Sequence, residues 1–258
     1  MTDPVKKINA LAVKASQADL MLPSCPSGKR ATPSAFLRSA LFSATQSKDR
    51  RQLKEEVMAS QSGISIIYTG EQLNQEDLTL WETLVHLSKK TPLGNVSEFT
   101  AYSILTAMGL STGSSDQAAL NKGITRLIAC SVKISFDGIG AYETSLISSS
   151  ESTVMGRYAV RLDRALIRLY KDNTWIDWDQ RIKLRRKPLA QALHGYYSSH
   201  KSPFPIKLET IRDITGSKNK QIAGFKRQVV AALDQLVEVD FLESYVVDSD
   251  NKVQVKKK

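Results

Sequence analysis

Apolar positions along this chain change their period in a fixed order, and that order occurs twice. Leu80, Leu84 and Leu87 recur at i, i+4 and i+7, the stripe of an amphipathic helix, and Leu189, Leu193 and Tyr196 repeat the spacing. In each copy a polar, proline-containing loop follows, then a short extended element around Phe99 or Ile206. A second helical stripe then ends at a glycine: Phe99, Ile104 and Gly109 have the same separations as Ile206, Ile211 and Gly216. A longer helix comes next, striped by Leu120, Ile124 and Leu127 in one copy and by Val229, Leu233 and Leu236 in the other. Both copies close on alternating residues that read as a hairpin, "VKISFDGIGAYETSLI" turning at DGIG and "FLESYVVDSDNKVQV" turning at DSDN.

Helix, short strand, helix, glycine turn, helix, hairpin is the order of a winged-helix domain. The pattern therefore predicts an α+β fold of tandem winged-helix domains related as a pseudo-repeat, with the third helix of each placed to enter a DNA major groove. Gly216 is expected to permit the tight turn between the second and third helices. The competing reading is two unrelated α+β segments.

Outside the copies, "LPSCPSGKRATPS" has proline, serine and glycine without a sustained period, so residues 1–34 read as a flexible N-terminal arm. "SAFLRSALFSA" places Phe36, Leu37, Ala40 and Leu41 on one helical face, and "ISIIYTG" reads as a strand. The first winged-helix domain is expected over 35–155, a connecting strand, helix and basic segment over 156–187, and the second domain over 188–258. The connector "GRYAVRLDRALIRLY", studded with Arg157, Arg161, Arg164 and Arg168, is expected to pack the two domains together.

Charge narrows the partner. Lys and Arg number 36 against 26 Asp and Glu, a formal net charge of +10, which favours polyanions. No apolar run approaches the roughly 20 residues of a membrane span, and no apolar signal core stands at the N-terminus, so a cytoplasmic protein is expected. Cys25 and Cys130 are too few for a disulfide framework or a zinc site.

With Leu120, Ile124, Leu127 and Ile128 inward, the first third-helix presents Ser115, Lys122 and Arg126, with Asn121 and Thr125 beside them. In the second copy Phe225, Val229, Leu233 and Leu236 turn inward and leave Lys220, Ala223, Gly224 and Arg227 outward. Arg126 and Arg227 are the candidates for bidentate guanine contacts. Lysines at the helix entrance and in the hairpins, Lys218, Lys133 and Lys252, suit phosphates. "RIKLRRKPL" holds five cations, and its Arg185, Arg186 and Lys187 form a candidate phosphate-contacting stretch before Pro188 in the first turn of the next helix. A solvated helix face is the alternative for each of these lysines and arginines.

Catalytic chemistry finds no constellation. Asp177 and Asp179 in "WIDWD" have no third ligand, and His86, His194 and His200 lack metal spacing. "GIGAYETS" precedes no helix and there is no Walker-type phosphate loop. No enzyme activity, metal or cofactor is expected.

The stretches "RSALFSA", "IIYTGEQLNQEDLTLW", "HLSKKTPLG", "EFTAYS" and "YYSSHKSPFPIKLETIRDITGS" together resemble the TrfA-type plasmid replication initiators, over roughly residues 31–247. The resemblance implies binding of double-stranded DNA at direct repeats of a replication origin (iterons), opening of the adjacent AT-rich duplex, recruitment of the host replicative helicase, and a monomer–dimer equilibrium. It also implies a docking motif for the polymerase sliding clamp, with Leu41 and Phe42 as paired apolar anchors. Arg38 and Ser39 stand where such motifs carry Gln and Leu. An amphipathic helix closing onto the first domain is the alternative for that segment. The rival functions are a sequence-specific transcriptional repressor on the same tandem fold and, more distantly, a DNA-processing enzyme.

Overall fold

Two apolar cores organise the chain, one drawn from Leu22 to Ile176 and the other from Leu184 to Val255. The structure, a computed structural model, describes residues 20–46, 50–61, 63–136, 140–152 and 157–258.

The first unit opens with β1 (Lys29–Pro33), the one-turn helix α1 (Ser34–Leu37) and the antiparallel pair β2 (Gln52–Met58) and β3 (Ile64–Glu71). Helix α2 (Gln75–Leu87) begins at Asn74, whose side chain accepts from the amides of Glu76 and Asp77, while the Asp77 carboxylate accepts from the Asn74 amide. That reciprocal cap satisfies amides that the helix itself leaves free. Trp81 on α2 is fully buried; Phe36 meets it edge-on at 5.0 Å and Tyr170 stacks at 6.4 Å. Strand β4 (Val96–Thr100) leads directly into α3 (Ala101–Ala107), and α4 (Ser114–Ile128) follows. Next come β5 (Ser131–Phe136), β6 (Gly140–Thr144), β7 (Ser149–Ser152) and β8 (Arg157–Arg161), a 3₁₀ helix over Arg164–Lys171, and β9 (Asn173–Asp177).

The second unit begins at α5 (Trp178–Lys183). It continues through α6 (Pro188–Ser198), β10 (Ile206–Lys207), α7 (Leu208–Ile214), α8 (Ile222–Glu238), β11 (Leu242–Val247) and β12 (Lys252–Lys257). Its sheet has the order β10-β12-β11, and the first unit contains a sheet of matching order, β4-β8-β7. In both, the strand before the second helix pairs with the last strand of the terminal hairpin.

The two glycine turns are also alike. Gly109 has φ +67° and Gly216 has φ +61°. In the first, Leu110 donates to the Leu105 carbonyl and Gly109 to that of Thr106; in the second, Ser217 donates to Arg212 and Gly216 to Asp213. This is the Schellman arrangement, in which a left-handed residue lets the chain turn back on the last helical carbonyls. Ile104 and Ile211, one helix turn earlier, are both fully buried.

Four expectations are corrected. The hairpin β5–β6 does not close the first copy: β5 pairs with β3 in a separate sheet of order β2-β3-β5-β6, with Ile134 opposite Ile66 and Val132 opposite Tyr68. All four are buried, so their alternation makes one shared apolar face. The hairpin that matches β11–β12 is β7–β8, whose first strand, "SSES", carries no apolar alternation. The turn residues 137–139 of DGIG lie outside the described residues.

Residues 20–33 are not a free arm. Leu22 is buried, and β1 pairs along its length with β9, Lys29 opposite Asp177 and Pro33 opposite Asn173. Residues 1–19 lie outside the described residues. The span 156–187 is not chiefly a connector either: β8 is the central strand of a first-unit sheet, and Leu166, Leu169 and Tyr170 of the 3₁₀ helix lie in the first core.

The proposed clamp anchors are interior. Leu41 and Phe42 are each 1% exposed, and the Phe42 ring meets Phe36 edge-on at 5.6 Å. The backbone beside them joins the two units. The Ala40 amide donates to Ala59 and the Ser43 amide to Leu73, while the Ala44 amide donates to Thr215 at 2.7 Å. Arg38 donates from Nε to Ser199 Oγ at 3.0 Å. A partner protein therefore cannot reach the Leu41–Phe42 pair without opening the first core.

Leu41→Ala is expected to lower stability by about 2–5 kcal/mol, the cost of a core cavity, read as a large fall in the midpoint of urea unfolding. A midpoint close to the parent's would mean the side chain is not packed there. Gly216→Val is expected to cost at least about 1–2 kcal/mol from the left-handed backbone alone. A Cβ at Gly216 would also lie 3.0 Å from the Ser43 Cβ, straining the joint between the units. Unchanged thermal stability in that variant would contradict the turn geometry.

Candidate nucleic-acid interface

The outward face of α8 begins at its entrance. Lys218, Lys220, Ala223 and Arg227 are exposed, while Phe225, Val229, Leu233 and Leu236 are fully buried on the opposite side. Asn219 shapes the entrance by accepting from the Gln221 amide at 3.0 Å. Gly224 packs against that same side chain: a Cβ there would lie 3.2 Å from Asn219 Nδ2. Lys226 Nζ donates to Asn251 Oδ1 at 3.1 Å, which ties α8 to the turn of its hairpin. Lys252, half-exposed, sits at the start of β12 with Asp250 at 3.9 Å. Lys218 and Lys220 also line a groove of 790 Å³ between the units, with Arg212, Gly216, Met58 and Ala40 on its walls.

In the first unit the structure separates residues that sequence reasoning had grouped. Ser115, Asn121, Lys122 and Thr125 are exposed on α4. Arg126 is not on that face. Its Nε and Nη2 donate to Asp77 Oδ1 at 3.1 and 2.8 Å, and its side chain is 14% exposed. Arg50 reaches the other oxygen of Asp77 at 2.6 Å. A buried carboxylate needs its cations, so Arg126 serves the α2–α4 contact and the guanine role expected for it is withdrawn. Lys133 is exposed, but on β5 in the four-stranded sheet, away from the hairpin that adjoins α4. From that hairpin Tyr158 reaches α4, its hydroxyl donating to Asn121 Oδ1.

The basic stretch divides as well. Arg185 is exposed and donates to the Gly109 carbonyl, Arg186 is exposed at φ +64°, and half-buried Lys187 lies 3.7 Å from Glu238. Arg181 is no surface cation. It and Glu82 are both fully buried, 2.8 Å apart. Arg181 also donates to Thr79 Oγ1 at 3.2 Å and to the Gln75 carbonyl at 3.1 Å, and Thr32 donates to Glu82 at 2.7 Å. Nearby, Arg30 donates to Thr83 Oγ1 and the Ala107 carbonyl and lies 3.1 Å over the Trp178 ring. Burial lowers the pKa of both guanidinium groups, Arg30 to about 9. In the sequence Arg181 is indistinguishable from its cationic neighbours, and Arg30 falls in a stretch without periodicity, so neither signalled burial.

Asp177 and His194 have structural roles. Asp177 caps α5 by accepting from the Gln180 amide at 3.1 Å. His194 is buried, edge-on to Phe241 at 4.6 Å, with Nε2 3.1 Å from Gln180 Oε1, and burial pushes its pKa down to about 3. His86 is likewise pushed down to about 4. Among the described residues no group of three or more His, Cys, Asp or Glu is arranged to hold a metal, and no helix is long and apolar enough to cross a membrane.

The fold is that of domains 2 and 3 of RctB. Two crystal structures of that segment match with TM-scores of 0.61 and 0.55 at 12% identity, covering 88% and 85% of this chain and 98% and 95% of theirs. The chain belongs to the TrfA protein family, whose model matches residues 6–257. The plasmid replication initiator protein TrfA of Escherichia coli is 29% identical over 235 residues, 87% of this chain and 61% of that protein. This chain thus spans about three fifths of the relative's length.

Arg181→Ala should cost about 3–5 kcal/mol, because it leaves the Glu82 carboxylate buried without its cation. Thermal unfolding of Arg181→Ala beside Arg185→Ala tests this: the first should melt far below the parent and the second close to it. Equal, small shifts would place Arg181 in solvent.

Proposed function

We propose that the chain is a replication initiator of a plasmid or similar replicon. It binds repeated duplex DNA through two winged-helix units, promotes opening of the adjacent duplex and recruits host replication proteins, including the replicative helicase. It has no catalytic step of its own, and a monomer–dimer equilibrium regulates it. The observation that carries the reading is the repeated connectivity. In each unit a helix, a strand, a second helix, a left-handed glycine turn and a third helix are closed by a hairpin pairing back to that strand. Membership of the TrfA family and the excess of 36 cations over 26 acids support the same reading.

Within this reading the units contribute differently. Arg227 on α8 is the guanine-reading candidate, with Lys218, Lys220 and Lys252 on phosphates. The first unit, with Arg126 engaged inside, meets DNA through Ser115, Asn121, Lys122 and Thr125. Arg185, Arg186 and Lys187 lie between the two and suit the intervening backbone. One unit alone offers few contacts, and their linkage raises the effective concentration of the second once the first has bound.

Binding of the full chain to duplexes selected from a randomised library, followed by single-base substitutions at fixed salt, tests this. Arg227→Ala should cost about 1–3 kcal/mol and relax preference at one base pair. Lys220→Ala should weaken all sequences alike and flatten the salt dependence. The reading is sunk if the library yields no enriched sequence, or if Arg227→Ala leaves both affinity and preference unchanged.

A further inference from the structure

We infer that Arg157 is a DNA-backbone contact of the first unit, the counterpart of Lys252 in the second, and that it fills the phosphate-binding place expected of Lys133. The inference rests on the DNA-binding reading above and adds to it a site residue on the β7–β8 hairpin.

Strand register carries the assignment. In the first unit Phe99 of β4 pairs with Tyr158 of β8, and Thr100 with Arg157. In the second Ile206 of β10 pairs with Val253 of β12, and Lys207 with Lys252. Phe99 and Ile206 hold matching places, each two residues before the second helix of its unit. Arg157 therefore stands in the first unit where Lys252 stands in the second. The alternation agrees. Tyr158 and Val160 are buried, as are Val253 and Val255, so Arg157 falls on the other face of β8, where it is exposed.

In both units the hairpin is fastened to the third helix beside this cation. Asn251, next to Lys252, accepts from Lys226 of α8 at 3.1 Å. Tyr158, next to Arg157, donates to Asn121 of α4. Asn121 is exposed beside Lys122, so the bond sets the start of β8 against the face through which the first unit is proposed to meet DNA. Arg161 and Lys256 match in the same register, but they lie four residues along their strands, about 13 Å further from the turn. Lys133 belongs to the other sheet, opposite Ile67 and Glu143.

A phosphate suits Arg157 better than a base edge. With α4 in the major groove, a strand end beside that helix lies over the bordering sugar-phosphate chain. A guanidinium offers phosphate two parallel N–H donors and keeps its charge at any working pH. Contacts of this kind position a protein on the duplex without reading sequence. With Arg126 engaged by Asp77, Arg157 restores an arginine to the DNA face of the first unit.

The test is titration of the full chain onto a library-selected duplex and a scrambled one, across a series of salt concentrations. Arg157→Ala should weaken both severalfold and make the slope of log affinity against log salt shallower by about 0.9, the loss of one phosphate contact. Arg157→Lys should keep the parent's slope. Lys133→Ala, which removes the same charge from the other sheet, should change neither measure. Thermal unfolding should show Arg157→Ala folded like the parent, because the side chain is exposed; should it not, Arg157→Gln takes its place with the same expectation. Parent affinity and slope in the variant overturn the inference. So does an equal loss in Lys133→Ala, which would make the effect one of net charge, and so does a loss confined to the selected sequence, which would make Arg157 a base contact. A parent that binds neither duplex sinks the DNA reading, and this assignment with it.

Discussion

The ion pair between Glu82 and Arg181 is the interaction on which the relation of the two units depends. Glu82 stands on α2, at the centre of the first core, and Arg181 on α5, at the start of the second unit. Neither touches solvent, so each requires the other: a lone buried charge is far costlier than the pair. Such a pair adds little net stability compared with apolar residues of the same volume, but it tolerates few geometries. The Arg181 carbonyl in turn accepts from Gln191 of α6 at 3.3 Å, and Gln180 faces His194. One buried charge contact thus aligns α2, α5 and α6 and holds the two third-helices in a set relation.

A second constraint lies in the segment around Leu41 and Phe42. Both side chains are sunk in the first core, while the adjacent backbone meets the glycine turn of the second unit through the Ala44–Thr215 hydrogen bond and the close approach of Ser43 to Gly216. The left-handed glycine therefore has two tasks. It allows the turn between α7 and α8, and it leaves room for the chain that joins the units. Under the DNA-binding role proposed above, a fixed joint of this kind lets binding by one helix face deliver the other without further ordering.

The two units have one connectivity and different chemistry. The second exposes Lys220 and Arg227 from the first half of α8; the first has its arginine tied to Asp77 and exposes an asparagine held by a hairpin tyrosine. The scaffold is thus repeated while the exposed residues of its third helix have diverged.

Local pattern alone determined the striped helices of the two copies and their inward faces, whereas the helical stripe of SAFLRSALFSA forms only one turn, Ser34–Leu37. The spacing of Leu120, Ile124 and Leu127, or of Val229, Leu233 and Leu236, specifies which side of a helix must be buried whatever it packs against. The paired glycines were legible for the same reason, since a left-handed turn after a helical stripe is a property of a few adjacent residues. Sheet membership was not legible: β5–β6 reads as a good hairpin, but only the apolar face of β3 decides that it joins that sheet, and the polar strand β7 has no local signal at all. The fates of the charged residues also needed the fold. Arg126 and Arg181 look like any surface cation until α4 brings the first beside Asp77 and the chain, 99 residues after Glu82, brings back the second. Burial of a charge is decided by a partner distant in sequence, and that partner is placed only when the elements pack.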